Sequence, residues 1–336
     1  MNPPKEAEEA ISAWNIGTPT KWSLAEQGEV NRNFIIRTKQ GRYVLRQVLS
    51  HSHYGSSKDL EFEFAYLNYL ERVGFPCQVP SAVPSREGKL FIRVRGCYCW
   101  LYRFIEGTAV ERLNESHFEE LARMMGRYHI LVERSGLDNR KPTVDLFGRA
   151  FTLTEMECYR SELLKKPRMN RRDATFMQES AKLVPILRSL DENPYSKLKR
   201  YPIHRDIIPE NLIWKKNKLV GLIDFEHVSG TNEPTVKDIA VTVQFTCRDR
   251  KLEHQLDLTL VKQFLQFYEK WHSVSDEEVE LIPILIASSF IEDFVWAYWM
   301  LRNDPERAGS HGLKLSSTAA QWSYSNREKI VQAIQG

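Results

Sequence analysis

An Asp, an Asn five residues on and a second Asp beyond two short apolar runs stand close together in this chain. They are Asp206 and Asn211, in His204-Arg205-Asp206-Ile207-Ile208-Pro209-Glu210-Asn211, and Asp224, in Gly221-Leu222-Ile223-Asp224-Phe225-Glu226. Their types suit chemistry on a phosphate. Hard divalent cations prefer oxygen ligands. Asn211 offers a neutral amide oxygen and Asp224 a carboxylate, on opposite sides of a two-strand ribbon. Asp206, outside that metal set, can orient an acceptor hydroxyl and take its proton. His204 suits holding the loop's backbone better than doing chemistry. Each residue alone reads as structural; the apolar strand before Asp224 and the hairpin between the two acids make the combination specific.

The elements that must position these groups can be read outward from them. Leu212-Ile213-Trp214 and Leu219 to Ile223 form two short strands joined by a turn at Lys215 to Lys218. Earlier in the chain, Phe34 to Thr38 and Arg42 to Val48 form a hairpin with Gly41 in its turn. Leu60 to Val73 carries a helical pattern, with Phe64, Leu67 and Leu70 on one face and Gly74 beyond its end. Leu90 to Phe104 reads as extended and broken by Gly96. Helical spacing then takes over in Phe118 to Arg134, Thr152 to Lys166, Ala174 to Leu190, and most of Val236 to Gln335. The boundary between the β-rich and helical parts falls near Glu106-Gly107, and the chain has no internal repeat.

Composition bounds the rest. The 336 residues exceed the usual limit of a single core and fit two lobes sharing a cleft. The 47 basic and 44 acidic residues leave a net charge of +3, which argues against nucleic-acid binding through bulk charge. Cys77, Cys97, Cys99, Cys158 and Cys247 make an odd count without a disulfide framework. Cys97 and Cys99 are too close for a zinc knuckle and read as thiols on one side of a sheet. Met1 to Ala10 lacks the apolar stretch of a signal peptide. Leu281 to Leu301 is apolar but interrupted by Pro283 and Glu292-Asp293, which favours a core helix over a membrane span. A cytoplasmic location is the expectation.

The layout from His204 to Glu226 is that of a kinase catalytic loop. In that segment the chain resembles the aminoglycoside phosphotransferase and choline kinase family, small-molecule kinases with a protein-kinase-like fold. The resemblance runs from about Trp22 to Trp299, and leans toward the branch of type II homoserine kinases, hexosamine kinases and kinase-like spore-coat proteins. It implies an α+β, two-lobe architecture: an N-lobe over 1–103, a hinge at 104–107 and a helical C-lobe over 108–336. It implies ATP, with GTP the alternative nucleotide, and Mg²⁺ as cofactors. It assigns Asp206 as the catalytic base, Asn211 and Asp224 as metal ligands, and His204 and Asp238, in Asp238-Ile239-Ala240, as supports of the loop. Arg46 takes the place of the lysine that contacts the phosphates, and Glu63 that of the helix acid pairing with it. Backbone groups near Arg103 and Ile105 would face the purine, and the loop Gln27 to Asn33, with Gly28, would cover the phosphates. His129, in Gly126-Arg127-Tyr128-His129, takes a structural role near the catalytic loop.

Departures from the family pattern carry information. Arg46 keeps the charge of a lysine but is a planar fork of different reach. The phosphate loop has only Gly28, and Arg205 stands where small-molecule members more often have Gly. Arg46 and the poor phosphate loop lean toward a catalytically weak or inactive kinase-like binding or coat protein, which the intact Asp206, Asn211 and Asp224 oppose. Arg205 gives the catalytic loop the look of a protein kinase's. A protein kinase is the other rival. Ile208 stands where those enzymes usually carry Lys, Glu226 replaces the Gly of Asp-Phe-Gly, and 14 positions from Asp224 to Asp238 leave no room for a long activation segment. The expected acceptor is therefore a hydroxylated small molecule: an amino acid, aminosugar, choline-like compound or aminoglycoside. Glu292, Trp296 and Trp299 share a helical face suited to a cationic amine, with Glu226 and His227 as further acceptor candidates. Neither nucleic acid nor membrane is expected as a partner, and the sequence leaves the oligomeric state open.

Overall fold

The computed structural model of the chain describes residues 5–25, 31–49, 56–137, 149–190, 194–303, 305 and 312–336. Gly28 and most of the Gln27–Asn33 loop lie outside these residues.

The first part is a five-stranded antiparallel sheet. Its strands are β1 (Lys21–Leu24), β2 (Arg32–Thr38), β3 (Gly41–Gln47), β4 (Phe91–Val94) and β5 (Cys97–Arg103), ordered β1-β2-β3-β5-β4. Gly41 turns the β2–β3 hairpin as its position implied, pairing with Thr38. Arg95 and Gly96, both with positive φ, turn β4 into β5, the backbone hand that suits two-residue hairpins. The period of two sorts the side chains onto two faces. Phe34, Ile36, Tyr43 and Leu45 point to one side, where α1 (Lys5–Ile11) and Trp14 cover them. Val44, Arg46 and Val48 point to the other, with Trp100 and Tyr102, against α2 (Ser57–Arg72). Ser56 and Asp59 form a reciprocal capping box at the start of α2. The α1 helix thus closes the sheet's outer face.

The second part is helical around a short ribbon. Its helices are α3 (Glu115–Arg134), α4 (Arg149–Leu164), α5 (Arg171–Ser189), α6 (Val236–Thr246), α7 (Leu258–Glu269), α8 (Asp276–Asn303), α9 (Leu313–Ser325) and α10 (Arg327–Gln335). The ribbon is β6 (Leu212–Lys215) and β7 (Lys218–Leu222). The apolar stretch Leu281 to Leu301 lies inside α8, packed against α4, α5, α6, α9 and α10. No helix among the described residues is long and apolar enough to cross a membrane. One apolar core runs from α2 and the inner sheet face through the ribbon to the C-terminal helices.

Two glycines set how closely the parts meet. A Cβ on Gly107 would lie 2.6 Å from Ile213 Cγ2 and from the Trp214 carbonyl oxygen; its φ of +153° also favours glycine. A Cβ on Gly221 would lie 2.6 Å from Ile105 Cγ2. The segment after β5 therefore lies directly on the ribbon, where Thr108 and Trp214 exchange backbone hydrogen bonds of 3.0 and 2.8 Å. Mixed α+β structure in two lobes is the architecture that the sequence implied. All five cysteines are free; Cys99 is buried on β5 and Cys158 is exposed on α4.

Candidate active site

The loop from Ile203 to Asn211 has almost no secondary structure of its own, so its shape comes from bonds to neighbours. Asp238, in the first turn of α6, accepts from the backbone N–H of His204 at 3.3 Å and of Arg205 at 2.5 Å. Thr231 and Thr242 donate to the carbonyls of Ile203 and Ile207, both at 2.9 Å. The His204 ring lies 3.0 Å from the Ile223 carbonyl through Nε2, and its Nδ1 accepts from Asp206 N–H at 3.2 Å. That pattern is a neutral imidazole, and burial lowers its pKa accordingly. His129 sits beneath, between the Tyr268 hydroxyl at 2.6 Å and Asp238 at 3.4 Å. His204 and Asp238 thus bond directly to the loop's backbone, and His129 reaches it through Asp238.

Arg205 adopts φ = +64°, a left-handed backbone that costs an L-residue about 1–2 kcal/mol. Glycine adopts such a backbone freely, whereas Arg205 needs an anchor. The anchor is Glu292 on α8, 2.9 Å from the guanidinium and also 3.0 Å from the Lys237 ammonium. Ser288 donates to the same carboxylate at 3.2 Å. Glu292 was expected to face a cationic acceptor. Instead it is buried, with both oxygens engaged by Arg205 and Lys237, and it braces the loop. Trp296 and Trp299, its neighbours on that face, stack on each other at 4.9 Å and remain half-exposed.

Asp206 stands at the centre. Its carboxylate accepts from the Asn211 amide N–H at 2.7 Å, and its carbonyl accepts from the same nitrogen at 3.0 Å. Burial raises its pKa well above the usual carboxylate range, and the charge of Asp224 adds to the rise. Because the Asn211 nitrogen is committed, its Oδ1 is left as an unused acceptor among the described residues. Asn211 immediately precedes β6 and Asp224 closely follows β7, and Ile223 N–H donates to the Asn211 carbonyl at 3.0 Å. The two metal-type oxygens thus share one open end of the ribbon, one per strand, rather than opposite sides of it. A neutral amide oxygen and a carboxylate form an oxygen donor set that fits Mg²⁺, which commonly takes one or two protein ligands plus phosphates.

Across the cleft, Arg46 on β3 reaches Asp224 at 2.5 Å and Glu226 at 3.7 Å. Asn31 also donates to Glu226, at 2.5 Å. Burial, then the charge of Asp224, raises the Glu226 pKa. Glu63 is buried on α2, and with Arg46 and Asp224 it is close enough to perturb the Tyr102 hydroxyl. His227 lies half-exposed in the turn after Glu226. Arg103 ends β5, and Ile105 is buried on the ribbon. Sequence reasoning covered Asn31 only within the Gln27 to Asn33 loop, and gave no role to Lys237, Gln244, Arg248 or Asp293. Gln244 and Arg248 share a face of α6 and its continuation. Their four-residue spacing was a signal, but nothing local linked it to Asp293.

Residues 21–277 match the family model described as "Phosphotransferase enzyme family". The homoserine kinase of Sinorhizobium medicae (strain WSM419) is 25% identical over 285 residues, covering 85% of this chain and 81% of that protein. Among solved structures, the amicoumacin kinase hAmiN, in complex with AMP-PNP, Ca²⁺ and Ami, superposes with a TM-score of 0.68 at 15% identity, covering 97% of this chain and 93% of that one. A microcompartment-associated aminopropanol kinase gives 0.64 at 16%, covering 96% and 97%. At such identities the structures speak for the fold, and the family rests on the matched model. The chain belongs to the phosphotransferase enzyme family, as the His204 to Glu226 segment implied, and is a small-molecule kinase.

Proposed function

We propose that this member of the phosphotransferase enzyme family transfers the γ-phosphate of ATP, in an Mg²⁺-dependent reaction, to a hydroxyl of a small amine-bearing metabolite. The observation that carries the reading is the Asp206–Asn211 contact at the open end of the ribbon, opposite Asp224 and Arg46. It supplies a base and two metal-type oxygens on one scaffold. Asp206 orients the acceptor hydroxyl and takes its proton as the oxygen–phosphorus bond forms and the bond to the leaving ADP oxygen breaks. Asn211 and Asp224 would hold Mg²⁺, which neutralises phosphate charge when bound. Arg46 would meet the phosphates as a bidentate fork, steadied by Glu63. Backbone groups near Arg103 and Ile105, in the 104–107 hinge between the lobes, would face the purine. The five free thiols suit a cytoplasmic setting.

Labelled ATP, Mg²⁺ and a panel of homoserine, aminosugars, choline and aminoglycosides test the proposal. At least one acceptor should become labelled, and Asp206→Asn should reduce turnover by about 10³-fold or more while nucleotide binding survives. Near-wild-type turnover by that variant would remove Asp206 as the base. Arg46 in place of lysine supports the rival of a kinase-like binding protein. No labelled acceptor, together with no thermal stabilisation by Mg·ATP, would favour that rival.

A further inference from the structure

The transfer chemistry leaves two wholly buried phenols unused. Tyr66, one turn beyond Glu63 on α2, and Tyr128, on α3, have their hydroxyls 2.6 Å apart. Burial raises both pKa values well above the ordinary phenol range, so two neutral hydroxyls share one hydrogen bond. Two Phe rings would fill the same space with no polar group to satisfy, so core packing alone does not account for the pair. The bond also crosses between the lobes, because α2 packs on the sheet that carries Arg46 while α3 belongs to the helical part. A second hydroxyl crosses beside it, Tyr69 donating to the Leu131 carbonyl at 2.8 Å. The two bonds differ in what they touch. The Tyr66 ring lies 6.1 Å from the Phe225 ring, whereas Tyr69 is half-exposed and, among the described residues, makes no ring contact with Phe225.

Phe225 links the pair to the site. It directly follows Asp224, is wholly buried, and packs edge-on against the His204 ring at 4.5 Å as well as against Tyr66. The α2 helix also packs on the short turn Glu226–Ser229 that comes next. Asp224 itself has φ = +67°, in the left-handed region that favours glycine. An L-residue persists there only where its surroundings over-determine the backbone. On one side of Asp224 the Ile223 N–H is tied to the Asn211 carbonyl; on the other, Phe225 is held by His204 and Tyr66. Tyr128 is followed by His129, which reaches the catalytic loop through Asp238, so the hydroxyl pair joins both supports to one scaffold. Resting on the transfer reading above, we infer that Tyr66 and Tyr128 are positioning residues. Their hydroxyl bond holds the Tyr66 ring against Phe225, and thereby keeps Asp224 in the backbone conformation from which it can hold Mg²⁺.

The test follows metal affinity rather than turnover, so it needs no acceptor. The thermal midpoint of the full-length protein is measured at fixed AMP-PNP as Mg²⁺ is added. Tyr66→Phe and Tyr128→Phe, which keep both rings, should each raise the Mg²⁺ concentration at half-effect about fivefold to tenfold, the worth of one hydrogen bond. The double variant should raise it no further, because the two hydroxyls act as one bond. With no hydroxyl left unpaired, that double variant should nevertheless recover ligand-free stability lost in the single ones. Tyr69→Phe, which cuts the other α2–α3 bond, should lower the ligand-free midpoint yet leave the Mg²⁺ requirement within about twofold of wild type. An unchanged Mg²⁺ requirement in Tyr66→Phe, or an equal rise in Tyr69→Phe, would overturn the inference and leave the transfer reading standing. So would a double variant that regains the wild-type Mg²⁺ requirement together with its stability. Wild-type protein that does not respond to Mg²⁺ and AMP-PNP at all would sink the transfer reading and this inference with it.

Discussion

At the scale of single residues, Arg205 shows how the loop that carries Asp206 is kept in shape. Its left-handed backbone is tolerated because Asp238 takes its N–H and Glu292 takes its guanidinium. Glu292 also neutralises buried Lys237. Removing one partner of such a buried set costs about 3 kcal/mol or more, because the remaining charges lose their compensation. Glu292→Gln should therefore lower kcat by about tenfold, leave KM for ATP within about twofold, and lower the unfolding midpoint. Gly at 205 needs no anchor, since it adopts positive φ freely. The double variant Arg205→Gly with Glu292→Gln should accordingly recover part of the kcat lost in Glu292→Gln. If both variants lose kcat equally, Glu292 acts on the loop by some route other than Arg205.

At the scale of elements, α3 is locked to the α7–α8 connection by a close packing contact and an ion pair. Gly126 leaves room for Trp271, since a Cβ there would lie 2.6 Å from the tryptophan's own Cβ. His272 faces Glu133 at 3.1 Å through one ring nitrogen and the Ser273 carbonyl at 2.9 Å through the other. Two acceptors on one imidazole call for the doubly protonated ring, and the His272 pKa is raised, chiefly by its bond to Glu133. The Glu133 pKa is lowered by the same bond. A raised histidine stabilises fully below its unfolded value and loses that contribution as pH rises through the folded one; a lowered carboxylate loses its share as pH falls. Glu133→Gln should thus cost about 0.5–1 kcal/mol near pH 5.5 and much less near pH 8.5, measured by urea unfolding. An equal loss at both pH values would disprove the charge pairing. Legibility followed the same scale. The hairpins, α2 and the Asp206–Asn211–Asp224 set were readable because each is specified within one short stretch by alternation, capping or turn chemistry. The α1 helix was not, because seven residues with a few small apolar side chains carry little periodicity. Gln244, Arg248 and Asp293 were missed because only the packing of α6 on α8 brings them together. Glu292 was misassigned for the same reason: its helical face was legible, but its partners were not.

At the scale of the whole molecule, the two lobes meet through charges as well as through the shared core. Arg46 of the sheet contacts Asp224 of the ribbon, and Asn31 donates to Glu226. Arg46 is thus the counter-charge of the same carboxylate that the proposed chemistry assigns to a metal. A nucleotide arriving without metal would bring its phosphates toward Asp224 and compete for Arg46, which leaves a carboxylate facing further negative charge. Mg²⁺ held by Asn211 and Asp224 would give Asp224 a new counter-charge and would leave Arg46 for the phosphates, so that both sets of charge would be matched. Stabilisation by ATP should therefore depend strongly on metal. At about 100 times the dissociation constant, Mg·ATP should stabilise the fold by about 2.7 kcal/mol, while ATP with a chelator should give little thermal shift at the same concentration. Asp224→Asn should remove most of the metal-dependent part. Equal shifts with and without Mg²⁺ would mean that Arg46 alone meets the phosphates and that Asp224 is not a metal ligand.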